Sequence, residues 1–256
     1  MLVQIRRDGH LRFIRQHEHA LLSGQLAAAW CGPGREAEPL PFEVVFAVAL
    51  HDLSWRKLDA TPRVDPALGR PPSFYEIPLD ERLAAYSAGL DEVERIHPYA
   101  ALLASLHYAS FPELRAVDPF QSGERERRDR LRRALDLGPE DEGRVQHHLA
   151  FLRLFDNLSL FLCLTPPAAA CEELPDWVDA CRHSSAPDGA TIHLTWVGDE
   201  VVHVDPFPFR APLAAGVRYR ELEAEVCGDE PALRAAWRST EPRFWSIDVR
   251  PAPRLA

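Results

Sequence analysis

Pro41-Phe42-Glu43-Val44-Val45-Phe46-Ala47-Val48-Ala49-Leu50-His51-Asp52 is an apolar run that ends on an imidazole and a carboxylate. Proline suits the first turn of a helix, so the stretch predicts a helix from Pro41 to about His51. Three more candidate ligands flank the pair at long range. His19 falls in a predicted helix over residues 12–30, where Phe13, Ile14, His19, Leu22, Leu26, Ala27 and Trp30 recur at helical spacing before Cys31-Gly32-Pro33-Gly34 stops it. His107 follows Leu102, Leu103 and Leu106 in a helix opened by Pro98. Asp156 stands among Leu149, Leu152, Phe155, Leu158 and Leu160 in the longest predicted helix, which starts at Pro139 or Glu140 and ends before Pro166-Pro167. Imidazole nitrogens and carboxylate oxygens are the ligands of Zn, Mn, Fe and similar ions. The expected fold is therefore mainly α: a helical bundle over residues 1–186 that carries a metal site.

After about residue 187 the character changes. Thr191 to Val197, Val201 to Val204, Val217 to Val226 and Phe244 to Val249 are rich in β-branched and aromatic residues and read as strands, with Gly198-Asp199 turning between the first two. The expectation is a small β-rich C-terminal extension, residues 187–256, packed on the bundle or mediating a homodimer. Between the His-Asp pair and a helix N-capped by Asp80 lies a long Pro-rich loop, Ser54 to Pro78, of the kind that walls a site.

Composition narrows the class. A chain of 256 residues with 46% hydrophobic residues can bury a sizeable core, and its net charge of −10 argues against duplex nucleic acid or an anionic membrane as partner. The cysteines Cys31, Cys163, Cys171, Cys181 and Cys227 are odd in number and hold no CxxC pair, which fits a reducing cytoplasm and no thiolate zinc site. Phosphate cradles, the GxSxG elbow and the HExxH helix are all missing from the sequence.

Each candidate has a plainer alternative. His19 shares the apolar face of its helix and could be a core histidine bonded to a carbonyl. Asp156 is costly among so many apolar residues unless a cation satisfies it, and Arg153 is the competing partner for a salt bridge. His107 could ligate a second ion, contact a phosphate or act as a general acid. Beyond the pair, Trp55 offers an apolar wall with Phe74 and Tyr75. Arg56 and Lys57 could bind phosphate oxygens or be surface charge, and Asp59 could position a water. His148 is a weaker additional candidate. The run Glu124 to Arg133 mixes signs at helical spacing and predicts a solvated face.

The order His19, then His51-Asp52, then Asp156, each on a helix, resembles the HD superfamily of metal-dependent phosphohydrolases. That resemblance implies an all-α core binding one or two divalent ions through those four residues, with His107 where two-metal members carry an additional histidine. A narrower set of segments looks like the bacterial family called domain of unknown function 3891. These are Gln16-x-x-His19-Ala20, Ser23-Gly24, Trp30, His51-Asp52-x-x-Trp55, Asp59, Pro62, Ser105-x-His107, Asp156-x-x-Ser159-Leu160 and Asp205-Pro206-Phe207-Pro208-Phe209. Trp55 stands where many HD phosphodiesterases carry a lysine, so the phosphate-binding equipment of those enzymes is moved or absent. The expected activity is hydrolysis of a small phosphorylated or nucleotide substrate by water activated on Mn, Zn, Fe or Mg. Asp52, His107 and Asp59 are the expected catalytic groups, and Trp55, Arg56 and Lys57 the expected substrate contacts. A di-iron oxygenase on the same scaffold and a non-catalytic small-molecule binder are the alternatives.

Overall fold

The computed structural model describes residues 1–33, 38–170 and 174–253, so Gly34 of the expected helix stop and Cys171 lie outside the described residues. The chain opens with a hairpin, β1 (Leu2–Ile5) and β2 (His10–Ile14), and then builds α1 (Gln16–Ala29) and α2 (Phe42–Leu50). After the Pro-rich segment come α3 (Leu79–Ile96), α4 (Pro98–Ala109), α5 (Asp118–Ala134), α6 (Glu142–Leu164) and the short α7 (Asp176–Ala180). The C-terminal part adds β3 (His183–Ser185), β4 (Thr191–Trp196), β5 (Val201–Asp205), β6 (Leu213–Glu223), α8 (Glu230–Ser239) and β7 (Arg243–Pro251).

A helical bundle with a small β-rich extension is not what forms. The strands make one seven-stranded mixed sheet in the order β1-β2-β6-β7-β5-β4-β3, so it draws on both ends of the chain. The parallel β5–β7 pair sits at its centre, and β2 joins the N-terminal hairpin to β6 with Leu11 opposite Leu222. The hairpin hides from a reading of sequence periodicity because both of its faces are buried. Leu2 and Ile14 enter the main core with the helices, while Val3, Leu11 and Phe13 pack beneath α8 against Leu233 and Trp237. A strand covered on both sides loses the apolar–polar alternation that would announce it. The predicted helix over residues 12–30 had absorbed Phe13 and Ile14, which belong to β2. The turn signal Asp8-Gly9 was there, and Gly9 takes the left-handed conformation the turn needs, at φ +83°.

Other boundaries shift less. The helix expected from Asp80 begins at Leu79, preceded by Pro78 and without a side-chain cap. Gly198, at φ +102°, turns β4 into β5 as expected. The Glu124–Arg133 face is not simply solvated, because Glu124 is buried and Arg127 bonds Asp91 and Glu94, tying α5 to α3.

The helices that carry the site are anchored to this sheet. Gln25 of α1 mimics a strand edge: its amide nitrogen donates to the Gly216 carbonyl, and its amide oxygen accepts from Gly216 N–H, both at 2.9 Å. Gln4 of β1 donates to the Cys163 carbonyl of α6. The Pro208 carbonyl accepts from Cys31 N–H at 2.9 Å, which holds the end of α1 to the loop after β5. The main core is continuous across α1, α2, α4, α6 and the sheet. Cys31, Cys163, Cys181 and Cys227 are buried free thiols. Among the described residues no helix is long and apolar enough to cross a membrane.

Candidate metal centre

Four helices bring the expected ligands to one point. His19 projects from α1, His51 and Asp52 stand at the C-terminal end of α2, His107 lies near the end of α4, and Asp156 is midway along α6. All five are buried, from 0% exposed for His19 to 8% for Asp156. His19 Nε2 is 2.8 Å from Asp52 Oδ2 and 3.9 Å from Asp156 Oδ1. His51 Nε2 is 3.2 Å from Asp156 Oδ1 and 3.8 Å from Asp52 Oδ2. His107 Nε2 approaches the other oxygen of Asp156 at 3.3 Å. One ligand atom each from His19, His51 and Asp156 lie within 4.8 Å of one another, a spread that a single cation can bridge.

Neighbouring bonds present the right nitrogen of each imidazole. His51 Nδ1 lies 2.7 Å from the Val48 carbonyl and must donate its proton there, which leaves Nε2 facing the two carboxylates. That Nε2 is buried and makes no aligned hydrogen bond, as a ligand nitrogen should. His19 Nδ1 sits 2.8 Å from Ser159 Oγ, and Ser159 in turn donates to the Asp156 carbonyl at 3.0 Å. The serine oxygen therefore accepts from Nδ1–H, and the Nε2 lone pair of His19 points into the cluster. Such outer bonds set tautomer and ring angle in metal sites. The carboxylates are held in the same way. Tyr108, fully buried, donates from its hydroxyl to Asp52 Oδ1 at 3.0 Å or to the His51 carbonyl at 2.7 Å, and it also bonds Ser54. The Gln16 amide nitrogen donates to Asp52 Oδ2 at 3.2 Å, and its amide oxygen is buried without a partner.

The charges respond to this crowding. Burial pushes the His51 imidazole down, but the carboxylates of Asp52 and Asp156 outweigh it and raise the pKa to about 9. Burial pushes both aspartates up. Contacts with His107 and His51 nonetheless hold Asp156 far below the usual carboxylate range, and His51 and His19 depress Asp52. Two carboxylates buried side by side need positive charge between them, and an imidazolium or a divalent cation supplies it.

The centre is the floor of a cavity of about 330 Å³. Trp55, Phe74, Tyr75, Tyr86, Phe111 and Trp177 wall it, and Gln16, Arg82, Glu113 and Asn157 supply polar groups. The apolar wall expected from Trp55, Phe74 and Tyr75 is there, joined by aromatic rings from three other segments.

Other expected site residues lie elsewhere. Arg56 pairs with Glu92 at 3.2 Å on the surface, and Lys57 is exposed on the same outer side. Neither lines the cavity, because the turn Leu53–Arg56 aims Trp55 inward and its successors outward. Asp59 is buried but binds the Met1 ammonium group and, at 2.6 Å, the Gln16 N–H, so it clamps the start of α1 instead of touching the cluster. Burial pushes the Asp59 carboxyl up despite that ammonium group. His148 bonds the Tyr99 hydroxyl at 2.6 Å, away from the centre. Asp156 pairs with histidines and not with Arg153. Sequence reasoning missed Gln16, Arg82, Tyr108, Phe111, Glu113 and Trp177 as site residues. Only Gln16 carried a signal, three residues before His19 and on the same face of its helix.

The sequence profile of the family described as "Protein of unknown function (DUF3891)" matches residues 1–224. The chain belongs to that family. The match takes in every residue of the centre and most of the sheet, and stops short of α8 and β7. No curated protein and no solved structure matches the chain.

Proposed function

We propose that this protein is a metal-dependent hydrolase of the cytoplasm, acting on a small phosphorylated molecule and related in its chemistry to the HD phosphohydrolases. The observation that carries the reading is the buried Nε2 of His51, turned by its Nδ1 bond to Val48 toward the carboxylates of Asp156 and Asp52, at 3.2 and 3.8 Å, without an aligned hydrogen bond to either. The donor set of two imidazole nitrogens and two carboxylate oxygens suits Mn, Zn or Fe better than Mg, which prefers oxygen. His19, His51, Asp52 and Asp156 would hold one ion. Held there, a divalent ion would supply Lewis-acid activation of water and of a phosphoryl oxygen. Asp52 would take a proton from the attacking water, and the Gln16 amide would orient that water as an acceptor. His107 steadies the second oxygen of Asp156 and faces the cavity, where it can protonate a leaving group. The aromatic walls exclude bulk water and seat the organic part of the substrate.

Metal analysis of protein purified without chelator tests this directly. About one equivalent of Mn, Zn or Fe is expected, with stabilisation on loading of about 2.7 kcal/mol at a hundredfold excess of ion over Kd. Asp156→Asn, which keeps the shape and removes the charge, should lose both. Absence of stoichiometric metal together with no stabilisation by any of the three ions would refute the proposal.

A further inference from the structure

We infer that the cavity selects a substrate of a single negative charge, a phosphodiester bearing a flat ring, over phosphomonoesters and nucleoside polyphosphates. The inference rests on the hydrolase reading and concerns the charge that its site tolerates.

Four charged side chains line the cavity among the described residues: Asp52, Asp156, Arg82 and Glu113. The two aspartates offset one divalent ion. Among the described residues Arg82 is the one fixed cationic side chain facing the space, and Glu113 accepts from its Nη1 at 3.2 Å. With an ion bound these fixed charges therefore cancel. Arg56 and Lys57, which would have suited a polyphosphate, turn to the outer surface. A monoanion entering this space needs one cationic contact. Arg82 can provide it, because its side chain lines the cavity beside Tyr86 and Phe111. A phosphomonoester dianion or a triphosphate would bring one to three further charges into an aromatic, largely buried volume with nothing to meet them, and uncompensated charge in such surroundings is expensive.

Shape agrees with charge. Trp55 and Phe74 meet edge to face with centroids 6.1 Å apart, and Phe74 meets Trp177 at 5.9 Å, so the walls present ring faces and edges. A space of about 330 Å³ takes one aromatic or nucleobase ring with its phosphate. In the reaction, water oxygen bonds to phosphorus, the bond from phosphorus to the leaving oxygen breaks, and the water's proton ends on that oxygen. The products are an alcohol and a phosphomonoester. The monoester gains a second negative charge above its second pKa of about 6 and so becomes the species the cavity disfavours. Hydrolysis thereby promotes release of its own product.

Trp55 and Trp177 report binding without turnover. Metal-loaded protein, with ion content measured on the same sample, is titrated by tryptophan fluorescence with methyl phenyl phosphate, phenyl phosphate and ATP. The expected result is one ion per chain and methyl phenyl phosphate, a monoanion with one ring, binding at least about tenfold more tightly than either of the others, because uncompensated charge opposes binding of both. Glu113→Gln, at a side chain 43% exposed, should fold normally and narrow the margin over phenyl phosphate by about threefold. Equal or tighter binding of phenyl phosphate or ATP overturns the inference and leaves the hydrolase reading intact. So does binding of none of the three, or a second ion per chain. Protein that holds no ion refutes the reading beneath it, and the inference falls with it.

Discussion

Gly89 offers a test in which two effects of known sign compete. It lies within α3, where alanine is favoured over glycine by about 1 kcal/mol. A Cβ built on Gly89 would stand 2.0 Å from Ser54 Cβ and 2.1 Å from Ser54 Cα, so part of the clash is with backbone. Carbon atoms pack at about 3.5 Å or more, and α3 and the Leu53–Arg56 turn would have to part by about 1.5 Å. Overpacking of this kind costs about 1–3 kcal/mol, and a backbone neighbour places it toward the upper end. Gly89→Ala should therefore lower stability by about 1–2 kcal/mol net. Gly123, in α5, has nothing within 4 Å of the same construction, so Gly123→Ala should show the propensity gain alone, about 1 kcal/mol of stabilisation. Gly24 is intermediate, with Ala49 Cβ at 2.7 Å and Cα at 3.2 Å, and its variant should be near neutral or mildly destabilised. Urea denaturation with an unchanged m-value gives the three numbers. The consequence reaches the site, because Ser54 follows Asp52 by two residues and bonds Tyr108, which also holds Asp52. Gly89→Ala should blunt the stabilisation gained on adding metal, and Gly123→Ala should not. If Gly89→Ala matches or exceeds the parent protein in stability, the close approach of α3 to the Leu53–Arg56 turn is wrong.

Two further outcomes are expected. Tyr108→Phe leaves Ser54 and one Asp52 oxygen short of a buried partner, which should cost about 1–3 kcal/mol and weaken metal binding by about tenfold or more; isothermal titration that finds unchanged affinity would show that Tyr108 does not position Asp52. Before an ion binds, His51 keeps its proton up to about pH 9, so its charge-paired contribution to stability is complete below its unfolded pKa near 6.5 and is lost as pH rises through 9. An ion must displace that proton, so apparent metal affinity should rise by about tenfold per pH unit toward pH 9, and a flat profile over that range would contradict the assignment of His51 as a ligand.

The helices were legible because their signals are local. Apolar spacing, prolines at first turns and glycine stops act within a few residues, and α1, α2, α4 and α6 stand close to where those signals put them. The convergence of His19, His51, Asp52, His107 and Asp156 was legible for a related reason: a charged or polar group set among apolar neighbours must find a partner, and histidines and aspartates find one another. The outward turn of Arg56 and Lys57 was not, since one residue's rotation along a short helical turn decides whether a side chain faces cleft or solvent. Asp59 was equally opaque, because its partners, Met1 and Gln16, are brought to it by folding alone.

Local sequence determined this protein's helical segments, its C-terminal strands and which buried imidazoles and carboxylates would seek one another, because each depends on residues close in the chain or on a polar group's need for a partner. Tertiary structure alone decided that the first fourteen residues would join the C-terminal strands in one sheet, since a hairpin buried on both faces shows no period. It alone decided the charge of the cleft as well: Arg82 and Glu113 lie on separate segments, and only packing of α3 against the turn after α4 sets them side by side.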